Sequence, residues 1–75
     1  MILPNKYIRE QEALLGVGSR LLGVLSEDKL LTDLWEESKE LEVVSNFERF
    51  ILALDMLFIM GVVVFEDNKI KRVVA

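Results

Sequence analysis

The sequence contains no cysteine and no histidine, and it has one proline and four glycines among 75 residues. Without cysteine no disulfide can form, and without both residue types a structural zinc site would have only carboxylate ligands. The same absences leave little for catalysis, and no glycine-rich phosphate-binding loop is present. We therefore expect a protein that is not an enzyme and that uses no cofactor and no metal ion. The acidic residues of the middle of the chain are interpreted as a solvated helix face: Asp33, Glu36, Glu37 and Glu40.

No export signal or membrane-spanning segment is expected. Residues 1–4 are mostly apolar, but they lack a preceding basic stretch and a small-residue cleavage site. The most apolar segment, residues 50–65, contains Asp55 and is shorter than the ~20 residues that span a bilayer. The absence of cysteine also suits a reducing compartment, so we expect a cytoplasmic location.

A chain of 75 residues forms one small domain, residues 1–75, and leaves no room for a second. Such a chain hides only about 60% of the surface that its unfolded form exposes, so its own stability is low. The composition is nevertheless 52% hydrophobic. We therefore expect that another chain covers part of the apolar surface.

Apolar periodicity predicts three helices, at residues 10–25, 33–41 and 46–60. A short extended segment, residues 29–31, precedes the second helix, and Thr32 is a candidate cap for it. Ser45 and Glu48 match the capping box at the start of the third helix, and Gly61 suits the left-handed position that ends it.

After the third helix the pattern changes from helical to extended. Two runs rich in β-branched residues, 62–66 and 69–73, are separated by Asp67 and Asn68, a pair that favours a tight reversal. The sequence thus predicts an α+β fold: a small winged-helix-like domain of three helices followed by a C-terminal β-hairpin at residues 62–74. Residues 1–9 are predicted to form an N-terminal arm.

Side-chain patterns lead to further expectations about packing. The predicted inward stripe of the third helix comprises Phe47, Phe50, Ile51, Leu54, Leu57 and Phe58. Three glycines weaken the first helix and predict the close approach of another backbone: Gly16, Gly18 and Gly23. Asp55 stands among apolar neighbours and is expected to pair with Lys6, Arg9 or Arg20. Trp35 is interpreted as a core residue, with an interface anchor as the alternative.

A second apolar stripe lies on the opposite side of the third helix. At ~100° per residue, Leu52, Met56 and Ile59 fall away from the inward stripe. A helix that is apolar on two sides is buried on two sides. We predict a partner or self-association surface here; the alternative is that the first helix and the N-terminal arm cover the stripe. The predicted surface also includes the N-terminal residues Ile2, Leu3 and Pro4.

Basic residues are concentrated in the last strand. Lys69, Lys71 and Arg72 are candidates for phosphate contacts within a larger assembly, and the alternative is that these lysines prevent strand pairing at a sheet edge. The third helix has Arg49 as its only basic residue, which makes it a poor reader of a DNA groove. DNA contact is therefore expected only within a complex.

The chain also resembles a known family. The similarity is carried by residues 1–6 (MILPNK), residues 13–22 (ALLGVGSRLL), the Leu34–Trp35 pair and residues 47–58 (FERFILALDMLF). These segments follow one another in the same order as in the small middle components of bacterial ABC-three-component systems. The resemblance covers nearly the whole chain, and its specificity lies in the combination of the segments.

The resemblance implies a non-catalytic winged-helix-like subunit encoded between an effector component and an ABC-type ATPase related to SMC and Rad50 proteins. Such systems defend against phage and plasmids, and Lamassu-type systems are related to them. The small subunit would bridge ATPase and effector, which perform the ATP hydrolysis, DNA sensing and effector chemistry. The alternative function is a homodimeric winged-helix DNA-binding transcriptional regulator that uses Lys69, Lys71 and Arg72.

Overall fold

The computed structural model describes the backbone of residues 4–73 and the side chains of residues 9–73. Ile2, Leu3 and the side chain of Pro4, which belong to the predicted partner surface, lie outside the described part. Within it, three helices and an antiparallel sheet confirm the α+β fold with a C-terminal hairpin. The elements are α1 (Pro4–Val24), β1 (Lys29–Leu30), α2 (Leu31–Ser38), α3 (Phe47–Met60), β2 (Val63–Glu66) and β3 (Lys69–Arg72).

Helix α1 begins at Pro4, earlier than the predicted start at residue 10, so residues 4–9 are helical instead of forming a separate arm. Proline suits the first helical position, where its fixed φ fits and no amide hydrogen is needed. The side chains of residues 9–13 are all exposed. No side chain of residues 9–13 is buried, so burial does not mark this part of the helix.

Helix α2 begins at Leu31, and its N-cap is Leu30, whose side chain makes no capping hydrogen bond. The prediction of Thr32 as the cap was therefore wrong. The preceding strand directs the chain into the helix instead: Lys29 and Leu30 pair with Ile70 and Lys69 of β3. The helix ends at Ser38 instead of residue 41.

Helix α3 begins next to its predicted start, but with a different cap. The Asn46 side chain accepts a hydrogen bond from the Arg49 backbone N–H at 2.8 Å. Ser45, predicted to form a capping box with Glu48, has a φ of 64° and lies outside the helix. At the other end, Gly61 has a φ of 77° and its N–H bonds the carbonyls of the last turn, as predicted.

The sheet has the strand order β1-β3-β2, with both pairs antiparallel. Strands β2 and β3 form the predicted hairpin, in which Glu66 pairs with Lys69 across a two-residue turn. Asp67 and Asn68 have φ values of 53° and 63°. Positive φ at both central positions is the conformation of a type I′ turn, which matches the twist of a hairpin. Strand β3 lies in the centre of the sheet, because it pairs with both β1 and β2.

The core fills the space between the helices and one face of the sheet. Its buried apolar residues are Val17, Leu21, Leu25, Leu34, Val44, Phe50, Ala53, Leu54, Leu57, Val63 and Ile70. Phe47, predicted to point inward, is 50% exposed, because it lies in the first turn of α3. Its ring meets the half-buried Trp35 edge to face at 5.0 Å, and Trp35 also packs against Phe50 at 5.2 Å.

The glycines of α1 differ in their surroundings. A Cβ on Gly18 would contact side chains of α3, whereas a Cβ on Gly16 or Gly23 would meet no atom of another described element within 4 Å. The predicted close approach is therefore found at Gly18, where the nearest atoms of α3 belong to side chains and not to the backbone, and it is not found at Gly16 or Gly23. Asp55 is exposed, and among the side chains of residues 9–73 it forms no ion pair with Arg9 or Arg20. None of the helices in the described range combines the length and apolar character needed to cross a bilayer.

Candidate partner interface

The second stripe of α3 lies on its outer side. Phe50, Ala53, Leu54 and Leu57 form the buried side of the helix. On the outer stripe Ile59 is 86% exposed and Leu52 48% exposed, and Met56 between them is half-buried. The stripe is thus open at both ends and partly covered in the middle.

Helix α1 provides the partial cover of Met56. A Cβ on Gly18 would lie 3.3 Å from Met56 Cε and 3.1 Å from Leu57 Cδ2. Any side chain at position 18 would require Met56 and Leu57 to shift by a few tenths of an ångström. Cover by the first helix, the alternative to a partner surface, therefore holds for Met56 but not for Leu52 and Ile59.

Two leucines extend the apolar surface from α3 onto α1. Leu15 precedes Gly18 by three residues and Leu22 follows it by four, so all three lie along one side of the helix. Leu15 is 45% exposed and Leu22 is half-buried. Sequence analysis missed this contribution, although the spacing of the two leucines about Gly18 indicates it. We call the combined surface the α1–α3 apolar face: Leu15, Leu22, Leu52, Met56 and Ile59.

An open groove of about 440 Å³ adjoins this face at Leu52. It lies between the N-terminal part of α1 and the start of α3. Its rim carries two charges of each sign, and its apolar lining includes Leu14 and Leu52. Such a lining suits a partner segment that carries polar side chains, or both polar and apolar ones, at the border of an apolar contact. The charged rim residues are Arg9, Glu10, Glu48 and Arg49.

The basic residues of β3 are not brought together. Lys69 and Lys71 lie opposite Glu66 and Val64 and share one face of the sheet, whereas Arg72 lies opposite the buried Val63 on the other face. Their role in phosphate contacts stays a prediction.

Two of these basic residues are also constrained by neighbours. Lys71 Nζ lies 3.5 Å from Asp67 Oδ2. Lys69 is paired on both sides, with Leu30 of β1 and Glu66 of β2, so it cannot prevent pairing at a free edge.

The acidic residues around α2 form ion pairs with lysines at the surface. Lys29 Nζ lies 2.9 Å from Glu37 and 3.7 Å from Glu27, and Lys39 Nζ lies 2.7 Å from Glu36. The hydrogen bond to Glu37 raises the pKa of Lys29 above its ordinary value of 10.5. Among the described residues no group of three or more acidic side chains is placed to hold a metal ion.

By its fold and surface the protein is a small α+β domain with three helices, a three-stranded antiparallel sheet and an exposed apolar face. Residues 3–73 match the family model described as ABC-three component (ABC-3C) system Middle Component 6. The chain therefore belongs to this family and is a component of a multi-component system. No curated protein and no solved structure matches the chain.

Proposed function

We propose that this middle component is a non-catalytic accessory subunit that docks through the α1–α3 apolar face onto the ATPase of its system and bridges it to an effector. The ATPase would be of the ABC type related to SMC and Rad50 proteins, and the system would resemble Lamassu-type defence against phage and plasmids in the cytoplasm. The small subunit, with its winged-helix-like order of elements, would supply contacts while the larger partners supply ATP hydrolysis and effector chemistry.

The exposure of Ile59 carries the proposal. This side chain is 86% exposed, and Leu52 and Leu15 of the α1–α3 apolar face are about half exposed. Covering apolar surface contributes about 25 cal/mol per Å², so a partner that covers several hundred Å² adds several kcal/mol to a domain of low intrinsic stability. Membership in a multi-component family supplies the reason why a partner is present to cover it.

The start of α1 adds a second part to the proposed contact. A helix of 21 residues is about 31 Å long, and the side chains of residues 9–13 are all exposed. The side chains of residues 9–13 are therefore open to a partner. We include Ile2, Leu3 and Pro4 in the docking surface on this basis.

The test is co-purification of the full chain with the ATPase encoded beside it. Ile59→Asp places a charge at the most exposed position of the proposed contact, and we expect it to abolish co-purification. Val43→Asp is the matched control, because Val43 is 45% exposed in the segment between α2 and α3, outside the apolar face. Both variants should keep the helical circular dichroism of the unchanged chain, since neither side chain is buried.

Two results would contradict the proposal. Retention of the ATPase by Ile59→Asp to the same extent as by Val43→Asp would show that the contact lies elsewhere. Binding of duplex DNA by the isolated chain, with a steep salt dependence, would instead favour the DNA-binding regulator.

A further inference from the structure

The outer edge of β2 is an open sheet edge. The Val73 N–H donates to the Val62 carbonyl at 2.9 Å, which defines residues 62 and 73 as a hydrogen-bonded pair. Because such pairs alternate along an antiparallel ladder, Val64 also bonds toward β3, while the backbone groups of Val63 and Phe65 point away from it. No described residue bonds these outward N–H and C=O groups.

Strand β2 has few of the features that prevent pairing at an edge, and its only charge is at its last residue, Glu66. Proteins protect edges with lysine, proline, bulges or very short strands. Strand β1, at the other side of the sheet, has only two residues, and Lys29 in it is ion-paired to Glu37. The sequence of β2 is Val-Val-Phe-Glu, it has four residues, and Phe65 in it is 55% exposed.

We propose that β2 is a dimerisation edge that pairs antiparallel with β2 of a second copy of this chain, about a two-fold axis at Val64. Val63 then bonds Phe65 of the second copy, and Phe65 bonds Val63 of the second copy. The two three-stranded sheets become one six-stranded sheet.

The register of β2 suits a second copy as the occupant. The outward groups of Val63 and Phe65 lie symmetrically about Val64, so two identical edges satisfy each other with about four hydrogen bonds. Three of the facing pairs are then purely apolar. Glu66, the only charged residue of β2, faces Val62 of the second copy, so no like charges oppose each other even though each chain carries a net charge of −4.

The contact is small, and it does not involve the α1–α3 apolar face. One strand pair lies at the low end of interface areas, under about 1,000 Å² in total, which is typical of a weak, transient dimer. The dimer is therefore compatible with docking of a larger component and does not depend on it.

The absence of cysteine makes a direct test possible, because Val64→Cys carries a single thiol. Across the proposed axis the two residues at position 64 form a non-hydrogen-bonded pair with Cα atoms ~4.5 Å apart, within the disulfide range. We expect this variant to form a covalent dimer under mild oxidation at micromolar concentration. Glu66→Cys is the matched control, because its two thiols would lie four residues apart along the strands, about 13 Å, and should not cross-link.

A second variant tests the same contact without cross-linking. Phe65→Lys adds a protective charge to the exposed edge. In sedimentation equilibrium we expect it to raise the dimer Kd at least tenfold, with unchanged circular dichroism. The proposal is overturned if Val64→Cys cross-links no faster than Glu66→Cys, or if Phe65→Lys dimerises like the unchanged chain. Cross-linking of a cysteine-containing co-expressed component in place of a second copy would assign the edge to a strand of that component and overturn the dimer.

Discussion

Gly18 of α1 lies against Leu57 of α3 so closely that a Cβ on the glycine would be 3.1 Å from Leu57 Cδ2. Leu57 is buried in the core, and the adjacent Met56 belongs to the α1–α3 apolar face. The missing side chain at position 18 therefore determines both how α1 packs on the core and how far it covers the outer stripe of α3.

Substitution of Gly16 or Gly23 should change the free energy of unfolding in the opposite direction from substitution of Gly18. Gly16→Ala and Gly23→Ala meet no neighbour within 4 Å, so each should raise the free energy of unfolding by about 0.5–1 kcal/mol through higher helix propensity. Gly18→Val should lower it by about 1–3 kcal/mol, because its branches overpack the contact with Leu57. Urea denaturation of the variants measures the changes, and equal effects at all three positions would show that Gly18 is not a close contact.

The cap of α3 can be distinguished from its neighbour by two alanine variants. Asn46→Ala removes the acceptor for the Arg49 N–H and should lower the free energy of unfolding by about 1 kcal/mol. Ser45→Ala loses only a hydrogen bond of 3.4 Å to the Glu42 carbonyl and should stay within about 0.5 kcal/mol of the unchanged chain. A larger loss for Ser45→Ala than for Asn46→Ala in thermal denaturation would restore the capping box that the sequence suggested.

Ser38 is fully buried, and its hydroxyl has no hydrogen-bond partner among the residues that the structure describes. Burial of an unsatisfied hydroxyl is unfavourable, so Ser38→Ala should raise the free energy of unfolding by about 1 kcal/mol. Ser19→Ala is the control, because the exposed Ser19 hydroxyl donates to the Leu15 carbonyl at 2.9 Å and its loss should change stability little. If chemical denaturation shows Ser38→Ala to be destabilising, the hydroxyl has a partner that compensates its burial.

Lys29 should make stability depend on pH in the alkaline range. Its pKa is raised, chiefly by the hydrogen bond to Glu37, so the folded chain holds this proton more tightly than the unfolded chain. The stabilisation is complete below the ordinary pKa of 10.5 and is lost as the pH rises through the higher pKa of the folded state.

We therefore expect the denaturation midpoint of the unchanged chain to exceed that of Lys29→Met by a constant amount between pH 7 and about pH 10 and to approach it at higher pH. Lys39→Met, which removes the exposed pair with Glu36, should change the midpoint less. A difference between the unchanged chain and Lys29→Met that stayed constant up to pH 11.5 would show that the ion pair is not responsible.

Local sequence determined the ends of elements wherever a backbone conformation depends on one or two neighbouring residues. Gly61 ends α3 because it adopts a left-handed conformation without steric cost. Asp67 and Asn68 tolerate positive φ at both turn positions, so the hairpin and its register follow from them. The apolar stripes of α3 were likewise visible, because burial repeats with the helical period.

Other features of the fold had no local cause. Leu30 precedes α2 without a side-chain cap, because its strand pairing with Lys69 fixes the direction of the chain. Asn46, not Ser45, caps α3, because both residue types are good caps and only the path of the preceding loop selects between them. Phe47 continues the apolar pattern of the core, yet its position in the first turn leaves it half exposed.

The sequence by itself determined a small α+β domain with three helices, a hairpin and more apolar helix surface than one face requires, because each of these depends on periodicity or on turn residues. Only the tertiary structure decided which apolar residues stay uncovered: Gly18 brings α1 over Met56 but leaves Ile59 open, and in the order β1-β3-β2 no described strand pairs with the outer edge of β2. The exposure of a side chain depends on which helices and strands pack against it, and these contacts join residues that are far apart in the chain.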